Sequence, residues 1–440
     1  MPARTMKDNG DSAADVIVIG GGIVGLSTAY FLAKRGVRVI LLEKGRLAWE
    51  QSSRNWGFVR QQGRDPAELP MAALSNRIWC GLEQELAVDA EWCQGGNLAL
   101  AQNEDDSDRH AEGARTAQAA GINSRVLTAE EVRAVFPQLK APFVGGLYTA
   151  SDGQADPLKA TLAFAQGARR AGAVLREYCA VNAICTTNSR VSGVATDAGE
   201  LRADVVVCAA GSHSGFVGRL AGLSLPQRSM RATVAATAPL PRLTDLGVWA
   251  AGLGIRQARD GSVILGRASA GTAEHDLTLE SLRHLNLFLP IFLRNQDLFR
   301  LRVGKPLLQD VLRHLPRTAA ARRPFAHAID LEPPPRQKTV QSSLALFNRY
   351  FPQLGQVAIA RTWAGVIDAT PDLVPVVGEV QALPGFFFAT GFSGHGFGLG
   401  PGAGYVLAEL IAKGQKAVDI HAMRYERFAQ RDLSTARKIL

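Results

Sequence analysis

The chain has 440 residues, of which 47% are hydrophobic and 20% are charged, a composition typical of an ordinary soluble globular protein. This length predicts two or three domains rather than one. The formal net charge of +9 would suit an anionic cofactor or substrate. The basic residues are dispersed, however, and only 312–323 approaches a cluster, so we do not expect nucleic-acid binding.

The first residues and the cysteines indicate the compartment. Residues 1–14 include polar and charged residues and hold no apolar run, which predicts a flexible leader without a signal peptide. The five cysteines form no C-x-x-C pair and have no metal-ligand spacing, so we expect free thiols and no metal site. These features predict a cytoplasmic protein, with peripheral association at the inner membrane as the alternative.

The most informative stretch joins a strand to a glycine turn and then to a helix. β-Branched residues at 16–19 predict a parallel strand buried on both faces. Gly20, Gly22 and Gly25 follow with G-x-G-x-x-G spacing. The first glycine permits the tight turn, the second lets backbone approach a pyrophosphate, and the third lets the helix pack on the strand. The N–H groups at the start of that helix would face the phosphates.

A second strand completes this unit. The helix is predicted over 23–34, and an apolar strand over 37–42 runs into Glu43. A carboxylate at this place would accept the hydrogen bonds of an adenosine ribose. The whole pattern predicts a dinucleotide-binding unit.

A related segment begins at Asp156, a good N-cap that is followed by proline at the first helical position. An alanine-rich helix follows, and strands are predicted at about 173–184, 190–196 and 201–210. The last of these is apolar and ends in a glycine turn, which predicts a further parallel strand of the same sheet.

A third segment lies near the C-terminus and favours a flavin over a nicotinamide cofactor. An aromatic strand at 386–390 leads into a glycine-rich turn at 394–400, and a helix is predicted over 401–412. A nicotinamide dehydrogenase rarely needs such a turn, whereas a flavin ring would receive N–H groups at its N1/O2 edge, where negative charge appears on reduction.

These segments predict an α/β protein with two domains. A Rossmann-like FAD-binding domain with a parallel sheet would comprise 15–65, 151–223 and 356–440. An inserted α+β substrate domain, built on a mostly antiparallel sheet, would comprise 66–150 and 224–355.

An apolar run at 281–299 stands apart from these motifs. It is interrupted by Pro290 and flanked by Arg283, His284 and Arg294. We expect a buried helix or a helix at a domain interface. The alternative is a patch that faces a membrane surface or a partner.

The motifs, in this order and spacing, resemble the FAD-dependent D-amino acid oxidase superfamily. Within it they are most similar to the β subunit of heterotetrameric sarcosine oxidase, to opine oxidases and to hydroxyproline dehydrogenases. The resemblance covers nearly the whole chain and rests on the N-terminal turn with Glu43, 52–60, Asp156-Pro157, 209–214, 363–372 and 391–401. It implies that FAD accepts a hydride at N5 from the carbon beside a neutral amine. The C–N bond of an amino acid or N-substituted amino acid would become an imine, which water hydrolyses.

The resemblance also implies roles for individual residues. Ser52 and Ser53 would meet the pyrophosphate or ribityl region, and 55–57 would pass along the ring. Arg60 would lie near the flavin, favour the anionic reduced ring and orient an anionic substrate, while His395 would be a neighbour of the ring rather than a base. The predicted catalytic residues are Arg60 and His395, and the predicted cofactor contacts are Gly20, Gly22, Ile23, Val24, Gly25, Glu43, Lys44, Ser52, Ser53, Asn55, Trp56, Gly57, Val181, Ala210, Gly211, Gly391, Gly394, His395, Gly396, Phe397, Gly398 and Leu399.

Two departures from the family pattern affect the predicted site. Ile367 stands where glycine oxidases and D-amino acid dehydrogenases carry an arginine that clamps the substrate carboxylate. Either Arg64, Arg256 or Arg267 replaces it, or the substrate lacks a carboxylate at that point. No cysteine follows Cys208, so the cysteine-linked flavin of monomeric sarcosine oxidases is impossible and we expect non-covalent FAD.

Several alternatives remain open. His213 and His275 are candidates for the acceptor of the ammonium proton. No match to the oxygen-activating lysine of monomeric sarcosine oxidases is found, which favours a dehydrogenase over an oxidase, with oxygen or an electron carrier as acceptor. The other hypotheses are oxidation of a C–O bond, as in 2-hydroxy acid dehydrogenases, and a flavin subunit that works with partner subunits in a larger electron-transfer complex.

Overall fold

The computed structural model describes residues 12–315, 325 and 329–434. Strand bounds among these residues are β1 Val16–Ile19, β2 Val39–Leu42, β3 Phe58–Val59, β4 Asn97–Ala101, β5 Ser124–Thr128, β6 Gly145–Thr149, β7 Gly153–Gln154, β8 Val174–Arg176, β9 Val181–Thr187, β10 Arg190–Thr196, β11 Gly199–Arg202, β12 Val205–Cys208, β13 Arg228–Thr237, β14 Gly247–Ala250, β15 Leu253–Gln257, β16 Val263–Arg267, β17 Ala273–Asp276, β18 Phe299–Arg302, β19 Ile359–Ala369, β20 Val376–Glu379 and β21 Phe386–Thr390. Helix bounds are α1 Ile23–Ala33, α2 Gln51–Arg54, α3 Leu69–Leu86, α4 Glu104–Ala119, α5 Ala129–Val135, α6 Pro157–Arg170, α7 Ser214–Leu220, α8 Leu285–Arg294, α9 Lys305–His314, α10 Gln337–Tyr350, α11 Gly396–Lys413 and α12 Arg427–Gln430.

The first sheet has six strands in the order β20-β21-β12-β1-β2-β8, and all pairs are parallel except β20 with β21. Its central strands are short apolar runs buried on both faces, as parallel strands covered by helices should be. The predicted Rossmann-like sheet is therefore confirmed, including the third parallel strand, β12.

Two of the predicted strands are each divided in the structure. The run at 173–184 forms β8 and β9, and the run at 201–210 spans β11 and β12. Between β8 and β9 the chain turns at Tyr178, whose φ is +54°. Strands β9, β10 and β11 form a separate three-stranded antiparallel sheet.

The second large sheet is mostly antiparallel, as predicted for the substrate domain. Its main path is β18-β17-β13-β16-β15-β14-β4-β6-β5, and β19 pairs with β13 in addition. Only β4 with β14 and β17 with β18 run parallel among the pairs described. β19 hydrogen-bonds along β13 from Ile359 to Ala369, so the first strand of the predicted 356–440 segment lies in this sheet. The predicted domain limits stay a prediction.

The end of the predicted leader is ordered by pairing. The Ala14 N–H donates to the Arg202 carbonyl at 3.0 Å, the Arg202 N–H donates to the Ser12 carbonyl, and Ala14 is buried. Residues 12–14 therefore pair with the folded structure, and 1–11 lie outside the described residues. Most of the basic stretch near 322 also lies outside them.

Helix α11 begins at Gly396, five residues before its predicted start, although its first turns hold several glycines and Pro401. Tertiary packing explains this, because α11 crosses α1 so closely that a Cβ at Gly404 would lie 2.4 Å from the Ser27 hydroxyl oxygen. The glycines therefore permit close helix packing here and do not end the helix.

The apolar run at 281–299 is less buried than predicted. In α8, Phe288 and Ile291 are buried, but Leu285, Leu289 and Leu293 are between 44% and 57% exposed, and Leu282, just before the helix, is 70% exposed. The expectation of a buried helix is wrong for this face, which presents apolar side chains to solvent. Across the described residues, helices are too short or too polar to cross a membrane.

Candidate functional site

A large cavity of about 1200 Å³ lies between the two main sheets and extends from Glu43 to His395. It adjoins the carboxyl ends of β1, β2 and β12, where open parallel sheets generally bind their ligands. Ordinary small-molecule pockets measure roughly 300–1,000 Å³. The cavity therefore has room for a dinucleotide and a small second ligand.

The glycine turn forms one end of this cavity and has the close contacts that its spacing predicts. A Cβ at Gly20, whose φ is +113°, would lie 2.3 Å from the Ala209 carbonyl oxygen, and a Cβ at Gly25 would lie 2.0 Å from the Gly20 carbonyl oxygen. No side chain fits at either position. The first turn of α1 is thereby held against β1, and Gly22, Ile23 and Val24 at its start line the cavity.

Glu43 and Ser52 hold this turn from the cavity side. Glu43 accepts the N–H groups of Gly21 and Gly45 at 2.7 and 2.8 Å, one on each carboxylate oxygen. The Ser52 hydroxyl accepts the N–H of Ile23 at 2.9 Å. Each acceptor oxygen keeps a further lone pair, so both side chains have capacity for a ligand.

Most of the predicted cofactor contacts line the cavity. They are Gly20, Gly22, Ile23, Val24, Glu43, Lys44, Ser52, Asn55, Trp56, Val181, Ala210, Gly211, Gly394, His395, Gly396 and Phe397, together with the predicted catalytic residue Arg60. The ones that do not line it are Gly25, Ser53, Gly57, Gly391, Gly398 and Leu399.

These exceptions lie in the wall behind the cavity. The Ser53 hydroxyl donates to the Trp49 carbonyl at 2.6 Å, and the Gly391 N–H donates to buried Asp368 at 2.7 Å. The Gly398 carbonyl accepts from Ser75 and Trp79, and Leu399 is fully buried. Gly398 and Leu399 lie within the early start of α11, which places them in its packing face. Contact of these six residues with the cofactor stays a prediction.

The end of the cavity next to the mostly antiparallel sheet has an apolar floor. Met230 and Ala232 of β13 lie opposite Ile367 and Gly365 of β19, and all four line the cavity. Trp56 stacks on Trp249 with ring centroids 5.4 Å apart, and both rings also face the cavity. The floor therefore suits an apolar substituent.

Charged side chains cluster at the opposite wall. The Arg60 guanidinium makes no hydrogen bond with any described residue, and its buried Nε has no partner. Arg64 donates only from Nε, to the Arg60 carbonyl at 3.1 Å, and its buried Nη1 is also unpartnered. Burial and the neighbouring Arg64 charge lower the pKa of Arg60 to about 9. An anion in the cavity would satisfy both guanidinium groups.

The other two arginines considered as carboxylate anchors are placed differently. Arg256 is buried against Gly57 and does not line the cavity. Arg267 lines the cavity and its buried Nε has no partner, but its Nη1 donates to the Ala251 carbonyl at 3.1 Å. Of the three arginines considered, Arg64, which lies beside Arg60, is the best placed to bind a carboxylate in the cavity.

The two candidate proton acceptors lie elsewhere. His213 is 3.3 Å from Glu50, toward the Glu43 end of the cavity. Both ring nitrogens of His275 have partners, the Ser229 carbonyl and the Ser281 hydroxyl, and this residue does not line the cavity. Neither histidine faces the Arg60 cluster.

Sequence reasoning missed Glu68 and Asp152. Glu68 is the N-cap residue of α3 and contacts His395 at 3.2 Å, while Asp152 accepts the N–H groups of Gln61 and Gln62. The four-residue spacing of Arg60, Arg64 and Glu68 gives no signal, because the chain between them is not helical. No cluster of three metal-ligating side chains occurs within 12–315 and 329–434.

Comparisons with known proteins place these features in context. The family model described as "DAO: FAD dependent oxidoreductase" matches residues 15–410. The chain is 28% identical to mitochondrial sarcosine dehydrogenase of Homo sapiens over 430 residues, which cover 95% of this chain but only 42% of that protein. It is 25% identical to sarcosine oxidase subunit beta of Rhizobium meliloti, covering 94% of this chain and 88% of the relative. The L-proline dehydrogenase structure from P. horikoshii matches with a TM-score of 0.79 and 26% identity, covering 96% and 99% of the two chains.

Proposed function

The chain belongs to the DAO family of FAD dependent oxidoreductases, and on this premise we propose that it oxidises the C–N bond of an amino acid or N-substituted amino acid. The observation that carries the proposal is the Arg60 guanidinium, which lines the cavity without a hydrogen-bond partner among the described residues. A substrate carboxylate would supply the missing anion. Relatives named for sarcosine and proline support an amino acid with a secondary amine.

The residues of the glycine turn fit FAD. The tight approach of Gly20 and Gly25, the α1 N-terminus and the free acceptor capacity of Glu43 suit a pyrophosphate and a ribose. FAD, when bound, supplies an acceptor for the hydride of the substrate carbon. We expect it to be held without a covalent bond, because no cysteine follows Cys208.

The protein groups would act by orientation and exclusion of water. Arg60 and Arg64 would hold the carboxylate, and the floor formed by Met230, Ile367 and Trp249 would hold the apolar part of the substrate. These contacts would hold the reacting carbon in one orientation. Holding reactants in the correct geometry contributes much of the rate acceleration of such reactions. After oxidation, water hydrolyses the imine.

A screen with an artificial electron-accepting dye tests the proposal against C–O oxidation. We expect dye reduction with N-alkyl or unsubstituted amino acids, release of the amine and formation of the carbonyl product. Turnover of 2-hydroxy acids with no response to any amine would contradict it. Comparing dye with air as acceptor in the same assay tests the expected preference for dehydrogenase over oxidase activity.

A second candidate function is that of a flavin subunit within a larger complex. The exposed leucines of α8 and the similarity to a sarcosine oxidase subunit support it. The chain also spans less than half of the sarcosine dehydrogenase that it matches. The test compares the native mass of the protein isolated from its own cells with the native mass of the purified chain. Equal masses, with full dye reduction by the chain alone, would contradict this role.

A further inference from the structure

The Glu68 carboxylate lies directly behind the His395 ring. Its Oε1 is 3.2 Å from Nδ1 of His395, and its Oε2 accepts the Asp65 N–H at 3.2 Å. Glu68 is 1% exposed and His395 is 22% exposed, so the ring reaches the cavity while the carboxylate is sealed beneath it. Glu68 comes from the start of α3 and His395 from the start of α11, two helices that pack on each other.

The contact with Glu68 determines which nitrogen of the His395 ring carries the proton. Burial works against ionisation of Glu68, but the contacts with His395 and Arg64 outweigh it and lower its pKa, so the carboxylate is charged and accepts. Nδ1 of His395 must then carry the proton, and Nε2 keeps its lone pair. Burial and the Arg64 charge lower the pKa of His395, so the ring is neutral near pH 7. Nε2 makes no hydrogen bond with any residue that the structure describes.

The charged groups that face the ring are Arg60, Arg64 and Glu68. The two arginines are those proposed above to hold the substrate carboxylate. In an α-amino acid the nitrogen is attached to the carbon that bears the carboxylate, so binding there brings the ammonium group beside His395. The bound carboxylate also offsets the two positive charges that reduce the proton affinity of the ring.

We propose that Nε2 of His395 accepts the proton of the substrate ammonium group, and that Glu68 is a positioning residue that fixes the tautomer and stabilises the imidazolium. This inference rests on the proposed function. The proton moves from the substrate nitrogen to Nε2, which frees the nitrogen lone pair. That pair forms the C=N bond as the hydride leaves the adjacent carbon with two electrons, and FAD is the oxidant.

The first test is Glu68→Gln in the FAD-loaded protein. The amide oxygen still accepts the Nδ1 proton, so only the charge is lost. Because Glu68 raises the pKa of His395, its removal lowers that pKa. We expect the acidic limb of the pH profile for anaerobic flavin reduction to move down by about one pH unit. The plateau rate should also fall, because a weaker base accepts the proton.

Glu83→Gln is the matched control: this glutamate lies on the same helix, accepts the Ala90 and Trp92 N–H groups and does not line the cavity.

The second test removes the base itself. His395→Gln should slow flavin reduction by about 100-fold at neutral pH, since general bases typically contribute 10²–10⁴-fold, and should abolish the acidic limb. A readout independent of turnover is the NMR titration of ¹³C-labelled histidine, with the His395 signal identified by its absence from His395→Gln. The His395 signal should titrate at lower pH in Glu68→Gln than in the wild type.

The outcomes distinguish failure of the proton-acceptor role from failure of the proposed function. If amino acids reduce the wild-type flavin but neither variant changes the pH profile, the proton-acceptor role is wrong and the proposed function stands. An unchanged His395 titration in Glu68→Gln would likewise overturn the positioning role. If no amine or amino acid reduces the wild-type flavin, both proposals fail.

Discussion

Gly25 lies so close to Gly20 that a Cβ on Gly25 would be 2.0 Å from the Gly20 carbonyl oxygen. Gly25→Ala should therefore force α1 away from the glycine turn. We expect a loss of stability of about 1–3 kcal/mol, as for overpacked cores, together with poor FAD retention. Urea unfolding and the flavin-to-protein absorbance ratio of the purified variant measure the two effects.

The control for this change is Gly81→Ala in helix α3, where a Cβ would meet nothing within 4 Å. Alanine is the better helix former, so stability should rise by about 0.5–1 kcal/mol and FAD retention should not change. Equal behaviour of the two variants would contradict the packing account of the glycine turn.

Arg60 and Arg64 are expected to bind a carboxylate together. Benzoate, which has no oxidisable amine, should perturb the flavin absorbance of the wild type. Arg60→Met or Arg64→Met should weaken benzoate binding roughly 10–150-fold, because a hydrogen bond to a charged group is worth about 1.5–3 kcal/mol. Arg259→Gln, which removes an exposed arginine paired with Asp89, should bind as the wild type does. Unchanged benzoate affinity in Arg60→Met and Arg64→Met would show that the carboxylate does not bind at these two arginines.

The ion pair of Asp372 with Arg427 is the most deeply buried one described, with side chains 1% and 0% exposed. Two bonds of 2.9 and 3.0 Å join the groups. Arg427→Met leaves a buried carboxylate without its partner, so we expect a loss of about 3–5 kcal/mol in the free energy of unfolding. Urea titration measures it, with Arg259→Gln again as the exposed control. Equal stability of the two variants would contradict a structural role for this pair.

Asp152 should make stability depend on pH. Burial raises its pKa to about 6, in spite of the N–H groups of Gln61 and Gln62. The unfolded value is about 4, so the folded protein binds this proton more tightly. The resulting stabilisation is complete below about pH 4 and is lost as the pH rises to about 6.

Asp152→Asn removes this titration. The stability of the wild type relative to the variant should therefore fall between pH 4 and 6 and stay level above, as measured by urea unfolding at each pH. A relative stability that does not change across this range would show that Asp152 titrates normally.

The parts of the fold that could be predicted are those carried by local pattern. The run at 16–25 fixes a buried strand, its turn and the helix packing by sterics alone, and Glu43 follows at the end of the next strand. The start of α11 could not be predicted, because glycines and Pro401 oppose a helix locally. Only the close crossing with α1 at Ser27 makes them favourable.

The candidate site likewise has residues that could be predicted from the sequence and residues that could not. Arg60 and His395 could be placed at the cavity from their motifs. Glu68 could not, because nothing local marks a carboxylate that is brought behind His395 by the packing of α3 on α11. The same holds for the choice of Arg64 over Arg256, which depends on which face of a distant strand points toward the cavity.

The most direct test of the central claim is anaerobic mixing of the FAD-loaded protein with a panel of D-, L- and N-alkyl amino acids. The account predicts that at least one of them bleaches the oxidised flavin absorbance and that about one carbonyl product forms for each flavin reduced. Bleaching by 2-hydroxy acids alone, or a purified protein that cannot be reconstituted with FAD, would contradict it.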